Sequence, residues 1–288
     1  MNDQRGRTFV VTGASSGLGL EMTRALATDG AHVIMAVRST AKGEECAARV
    51  RRTGAAGTLE VRRLDVSDLA SVRAFTAELD GADVLVNNAG IMGGPPARSA
   101  DGFELQLATN YLGHFALANL LLPRLTDRVV TVSSHAHRHG ELDIEDLMLE
   151  RRGYHPYRAY AQSKLAGVVF LGELHRRLTA AGSSLRSTGG HPGYTATGIQ
   201  GGTGSGWFTR LSGLGNALIG MKPSQGALPL LYAAARDVPG NSYLGPDGPG
   251  ELWGRPAPVG RSTAATDPAL GRELWAASER LTGVAFPL

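Results

Sequence analysis

The 288-residue chain holds 42% hydrophobic and 19% charged residues and a net charge of +3. That balance excludes global disorder, and basic residues scattered without interleaved aromatics give nucleic acid no footing. A lone Cys46 excludes an internal disulfide and a thiolate metal site, and no apolar stretch reaches membrane-spanning length, so one large domain over 1–288 in the cytoplasm is expected.

Thr8 to Val11 is a β-branched run followed by Thr12-Gly13-Ala14-Ser15-Ser16-Gly17-Leu18-Gly19 and a helical pattern ending at Gly30. Strand, glycine-rich turn and helix together aim helix N-terminal amides at a pyrophosphate, although the glycine spacing is not the G-x-G-x-x-G of the common dinucleotide fingerprint. The next strand, His32 to Val37, ends at Arg38, where an acidic residue would bind the ribose hydroxyls of NAD and an arginine suits the 2′-phosphate of NADP. Ser15, Ser16 and Lys42 can assist Arg38 there by hydrogen bonding and charge.

Alternation continues with a helix over Thr40–Arg52 and a strand over Leu59–Val66 ending at Asp65. A helix from Ser67 and an apolar strand over Asp83–Val86 follow, the strand emptying into Asn87-Asn88-Ala89-Gly90. Such βαβ repetition predicts an α/β, single-domain, Rossmann-like, doubly wound parallel sheet flanked by helices on both faces, with ligands bound beyond the strand C-termini. A long helix over Phe103–Leu125 contains Asn110, and a fifth strand over Arg128–Val132 runs into Ser133-Ser134. An amide amid Leu107, Leu112 and Phe115 needs a buried partner.

Residues 135–156 are irregular and charged and read as an insertion; His135, His137 and His139 alternate there without the further ligands a metal would need, so no metal is expected. The helix over 158–180 carries Tyr160 and Lys164 four residues apart, on one face, where an ammonium beside a phenol eases its ionisation. A strand at Leu185–Ser187 leads to His191-Pro192-Gly193-Tyr194. The glycine-hinged stretch 195–222, with Trp207 and Phe208, suits a lid over an apolar substrate. A helix over Ser224–Arg236, a strand at Ser242–Gly245, a Pro-rich linker around Pro256 and Pro258, and a helix over Asp267–Leu281 complete the chain.

Thr12-Gly13-x3-Gly17-x-Gly19, Asp65, Asn87-Asn88-Ala89-Gly90, Asn110, Ser134, Tyr160-x3-Lys164 and Pro192-Gly193, in this order, resemble the short-chain dehydrogenase/reductase family over about residues 7 to 246. Val37-Arg38, Asn110-Tyr-Leu-Gly-His-Phe and His191-Pro-Gly-Tyr are similar to its retinol-dehydrogenase-like branch and the bacterial relatives of that branch. The resemblance implies that Tyr160 is the general acid toward a carbonyl oxygen, that Lys164 lowers the tyrosine pKa and holds the nicotinamide ribose, and that Ser134 hydrogen-bonds the same oxygen. It implies that Asn110 holds a water in a proton relay to Lys164. For the cofactor it implies Gly13, Ser15, Ser16, Gly17, Leu18 and Gly19 at the pyrophosphate side, Asp65 and Val66 at the adenine, and Asn88 with Ala89 and Gly90 at the adenosine ribose side. Pro192, Gly193, Thr195 and Thr197 join that set, Thr197 at the nicotinamide amide, together with Tyr160 and Lys164.

The expected activity is an NADP(H)-dependent ketoreductase, exchanging a hydride with a ketone, aldehyde or secondary alcohol of moderately large apolar character. An inactive NADPH-binding scaffold or sensor, and an epimerase or dehydratase using transient oxidation, are the alternatives. Ser134 and Tyr160 stand 26 residues apart, wider than the family's shortest spacing, and the membrane anchor of animal retinol dehydrogenases is expected to be missing. The expected partner is a small molecule, with no nucleic acid and no membrane; the helices at 103–125 and 158–180 offer faces for a homodimer or homotetramer.

Overall fold

A computed structural model describes residues 3–194 and 221–288. Short apolar runs open the chain as strands β1 (Thr8–Thr12), β2 (His32–Val37) and β4 (Ala82–Asn87), buried on both faces as parallel strands must be. With β3 (Thr58–Arg63), β5 (Leu125–Val132), β6 (Arg186–Gly190), β7 (Tyr243–Pro246) and β8 (Pro256–Pro258) they form one sheet in the order β3-β2-β1-β4-β5-β6-β7-β8. All neighbours pair in parallel except β7 and β8. The α/β, Rossmann-like reading holds.

Side chains alternate across that sheet. Phe9, Val11, Val33, Met35, Val84 and Val86 face α1 (Gly17–Thr28), α2 (Thr40–Arg51) and α8 (Leu228–Ala235) in one apolar cluster. Val10, Ile34, Leu85 and Val129 face α3 (Leu69–Ala77), α5 (Gly113–Leu121), α6 (Pro156–Ala180) and α10 (Pro268–Thr282) in the other. Chain order reverses between β1 and β4, which opens a crevice at the carboxyl ends of those strands.

Four local expectations are corrected. β3 stops at Arg63, so Asp65 lies two residues past the strand. The helix expected over 103–125 is instead α4 (Leu105–Leu107), a π-helical turn at Ala108–Leu112, α5, and a 3-10 turn at Leu122–Arg124. Apolar spacing alone does not separate these helix types, and the π turn is centred on Asn110. The helix expected over 224–236 divides into α7 (Pro223–Gly226) and α8. The Pro-rich linker contains β8, an antiparallel edge strand, a place where prolines cost no interior ladder bond.

The stretch 135–156 is ordered around Asp146, a buried carboxylate that accepts the N–H groups of Glu150, Arg151 and Arg152 at 2.8, 3.1 and 3.1 Å. Gln162 on α6 ties it down by donating to the Leu147 carbonyl at 2.8 Å. Beyond it α10, capped by Asp267 and closed by Gly283 at φ 63°, lays Trp275 flat on Phe170 and edge-on to Phe115. The chain's own C-terminal helix therefore covers part of α5 and α6. No helix among the described residues is long and apolar enough to cross a membrane. The stretch 195–220, with Thr195, Thr197, Trp207 and Phe208, lies outside the described residues.

Candidate active site

The crevice holds a cavity of about 950 Å³. Gly13, Ser15, Ser16, Gly17, Leu18, Arg38, Asp65, Val66, Asn88, Ala89, Gly90, Ser134, Tyr160, Lys164, Pro192 and Gly193 all line it, Tyr160 and Lys164 from α6 and the others from the segments that follow β1 to β6. Two expected residues buttress it instead. A Cβ on Gly19 would fall 2.5 Å from the Gly13 carbonyl and 2.6 Å from Asn88 Nδ2, so the first turn of α1 presses directly beneath the glycine loop. Asn110 lies behind the wall, in the π turn.

The turn between β1 and α1 is pinned to the end of β4 by Thr12, whose hydroxyl accepts the N–H groups of Asn88 at 2.9 Å and Ala89 at 2.8 Å. Asn88 returns its amide to the Thr12 carbonyl at 2.7 Å. The same hydroxyl lies 2.9 Å from Nε2 of His114, a buried ring on α5. Burial holds His114 neutral, its pKa lowered to about 3. Thr12 was visible in the motif, but its hydroxyl's several partners were not. Ser16 caps α1 with extended backbone and no side-chain bond of its own, leaving the helix N-terminus facing the cavity.

At the β2 end, Arg38 is exposed and precedes α2, whose N-cap Ser39 accepts the Lys42 N–H at 3.3 Å. Arg38, Ser39 and Lys42 line the same cavity as Ser15 and Ser16. Arg38 and Lys42 put two positive charges beside the N-terminus of α2. Asp65 turns Oδ1 onto its own loop, accepting Ser67 N–H at 3.0 Å and Ser67 Oγ–H at 2.6 Å.

Asn110 is fully engaged by protein. Its Oδ1 accepts the Ile91 N–H at 2.8 Å, and its Nδ2 donates to the Ile91 carbonyl at 2.9 Å and to Ser163 Oγ at 2.8 Å. Ser163 in turn donates to the Tyr160 carbonyl at 2.8 Å, so the loop after β4 and the start of α6 share one buried brace. A Cβ on Gly113 would lie 1.7 Å from the Val66 carbonyl; only glycine lets the π turn close on the β3 loop.

Tyr160 and Lys164 stand one turn apart on α6, both buried, with Lys164 Nζ 5.8 Å from the phenol ring centroid. Burial pushes the Tyr160 phenol above its usual value, and the neighbouring Ser134 hydroxyl opposes that shift without reversing it. The eased ionisation expected from Lys164 is therefore not what this pocket produces. Lys164 is itself desolvated, its pKa lowered to about 8, and its Nζ donates to the Val132 carbonyl at 3.3 Å. Burial costs a phenolate and an ammonium alike, and spacing along a helix does not report burial.

Other residues of the wall were not singled out as site residues from sequence: Met92, His135, His139, Tyr157 and Leu252. His139 Nδ1 and the Tyr157 hydroxyl are 2.8 Å apart. The alternating histidines diverge, because His137 turns inward with its Nδ1 2.8 Å from the Ser134 carbonyl while the rings of His135 and His191 stand 6.0 Å apart. Among the described residues no three His, Cys, Asp or Glu side chains gather in a metal-holding group.

The chain has relatives along nearly its whole length. The family model described as short chain dehydrogenase matches residues 7–206. Retinol dehydrogenase 13 of Homo sapiens is 37% identical over 98% of this chain and 86% of its own length. Polyprenol dehydrogenase of Mus musculus is 39% identical over 97% and 85%. The crystal structure of an uncharacterized protein from Mycobacterium Paratuberculosis superimposes with a TM-score of 0.86 at 51% identity, covering 100% of this chain and 97% of that one. With that family-model match over more than half of the chain and these identities along nearly its whole length, the chain is a member of the short-chain dehydrogenase family, similar to its retinol-dehydrogenase-like branch.

Proposed function

We propose that the protein is an NADP(H)-dependent reductase of ketones or aldehydes of moderately large apolar character. The observation that carries this reading is the wall on which Tyr160, Ser134 and buried Lys164 come together, in a cavity that the glycine loop also lines. The glycine cradle fits a pyrophosphate, since Gly13 and Gly17 line the cavity at φ 67° and 53°, a backbone with no side chain to bar close approach. Arg38 and Lys42, with Ser15 and Ser16, suit a 2′-phosphate. The whole chain, 1–288, acts as one such domain, with 135–156 as an insertion at the substrate side.

When bound, the cofactor supplies the hydride. Tyr160, a phenol and so protonated near neutral pH, gives its proton to the carbonyl oxygen as that oxygen gains charge. Ser134 steadies the same oxygen. Lys164, lowered to about 8, can hold or release a proton near neutral pH and so serves to recharge the phenol. The amide of Asn110 is engaged by Ile91 and Ser163, so any part it takes in the relay is through its backbone carbonyl. Thr195 and Thr197 complete the nicotinamide side in this proposal.

The test is consumption of NADPH with a panel of aryl and alicyclic ketones. NADPH is expected to outperform NADH, and Arg38→Ala to lower that preference about tenfold, the loss of one charged hydrogen bond. NADH matching NADPH in the wild type would overturn the role of Arg38.

A further inference from the structure

On the side of the crevice away from the glycine loop, three remote segments meet at Glu251. This residue adopts φ 57°, directly after Gly250 at φ 63°. A non-glycine side chain in the left-handed region persists only where its surroundings over-determine it. They do so here. Glu251 Oε1 accepts from Arg138 Nη2 at 2.8 Å, and Oε2 lies 3.0 Å from His191 Nε2.

His191 is fully buried, and its other nitrogen, Nδ1, accepts the backbone N–H of Gly193 at 3.2 Å. That acceptor role leaves the ring proton on Nε2, where it donates to Glu251. The space is tailored to the ring, because a Cβ on Gly245 would fall 2.5 Å from His191 Nε2. The next residue, Leu252, adds a backbone grip: its carbonyl accepts the Tyr194 N–H at 2.9 Å, and a Cβ on Gly193, at φ 69°, would lie 2.5 Å from that same carbonyl. Glu251 and Leu252 thus hold the 192–194 turn from both sides, and Pro192, Gly193 and Leu252 line the cavity.

We propose that Glu251 is a positioning residue for the nicotinamide end of the site, acting through His191 to fix the Pro192–Gly193 turn. This assignment rests on the cofactor reading given above. Glu251 itself touches neither the cavity nor the reacting groups; its influence passes through one imidazole and one backbone N–H.

The experiment compares two probes on full-length protein by calorimetry: NADPH, and adenosine 2′,5′-bisphosphate, which lacks the nicotinamide. Glu251→Ala is expected to weaken NADPH about tenfold, the loss of one charged hydrogen bond, while leaving the bisphosphate within about twofold. Retained bisphosphate binding also reports that the variant is folded. His191→Gln is expected to show the same split, and the double variant to be no worse than either single one, because both remove one linkage. Equal weakening of both probes, unchanged NADPH affinity, or additive losses would each overturn the assignment while leaving the cofactor reading intact. Wild-type protein that binds neither probe would overturn both.

Discussion

The two halves of the crevice are built on different principles. On the β1–β4 side the glycine loop, Arg38, Asp65 and Asn88 follow strand ends, and the contacts that fix them join neighbouring loops: Gly19 packs under Gly13, and the Thr12 hydroxyl accepts the N–H groups of Asn88 and Ala89. On the β5–β8 side the wall depends on groups far apart in the chain. Arg138, His191 and Glu251 meet there, and the helix bearing Tyr160 is buttressed by Trp275 on α10 through Phe170. The first half closes between the loops of the adjacent strands β1 and β4, although Thr12 and Asn88 are 76 residues apart. The second needs the whole fold.

Perturbing each half should separate them. The largest stability effect is expected on the far side, where Trp275→Ala removes a fully buried indole from the Phe115–Phe170 cluster and should cost about 3–5 kcal/mol in urea unfolding. A loss under about 1 kcal/mol would mean that α10 is not part of the cooperative core. Gly19→Ala is the near-side counterpart: its methyl meets backbone and the Asn88 amide, so about 1–3 kcal/mol is expected, appearing chiefly as weakened NADPH binding. Unaltered cofactor affinity there would break the view that this turn is closed by contact.

A third effect appears in acid. His114, His137 and His191 are all buried and held neutral, with pKa values lowered by burial to about 3, 4 and 4. Unfolded histidine binds its proton near pH 6.5, so the unfolded chain is protonated first as pH falls. Their contribution is fully present above that value and is lost as pH drops toward 4 and then 3. Each group steepens acid destabilisation by up to about 1.4 kcal/mol per pH unit. His114→Gln should remove one such share from urea unfolding measured between pH 7 and 4.5, and an unchanged slope would contradict its neutral burial.

The same division explains what could be read from the amino acids. Gly13, Arg38, Asn88, Ser134 and Tyr160 declared themselves because strand ends and glycine turns are local signals. The π turn at Asn110 did not, since its apolar spacing is that of a helix and its cause, the Gly113 approach to Val66, is a tertiary contact. β8 was hidden by prolines that are tolerated only because the strand is an edge. Glu251, one carboxylate in a run of glycine and proline, gave no sign of its two partners. The Tyr160–Lys164 pair was found by spacing, yet the sign of the phenol's shift depended on burial, which spacing does not carry.

Those two neighbouring tyrosines of α6 also supply the most direct test. Tyr160 is buried against Ser134, whereas Tyr157 is 47% exposed and pairs with His139. Reduction of a reactive ketone by NADPH should be followed for Tyr160→Phe and Tyr157→Phe beside the wild type. If Tyr160 is the proton donor, its loss lowers kcat by about 10²–10⁴-fold, while Tyr157→Phe stays within about tenfold and alters mainly KM. Wild-type turnover in Tyr160→Phe would contradict the account.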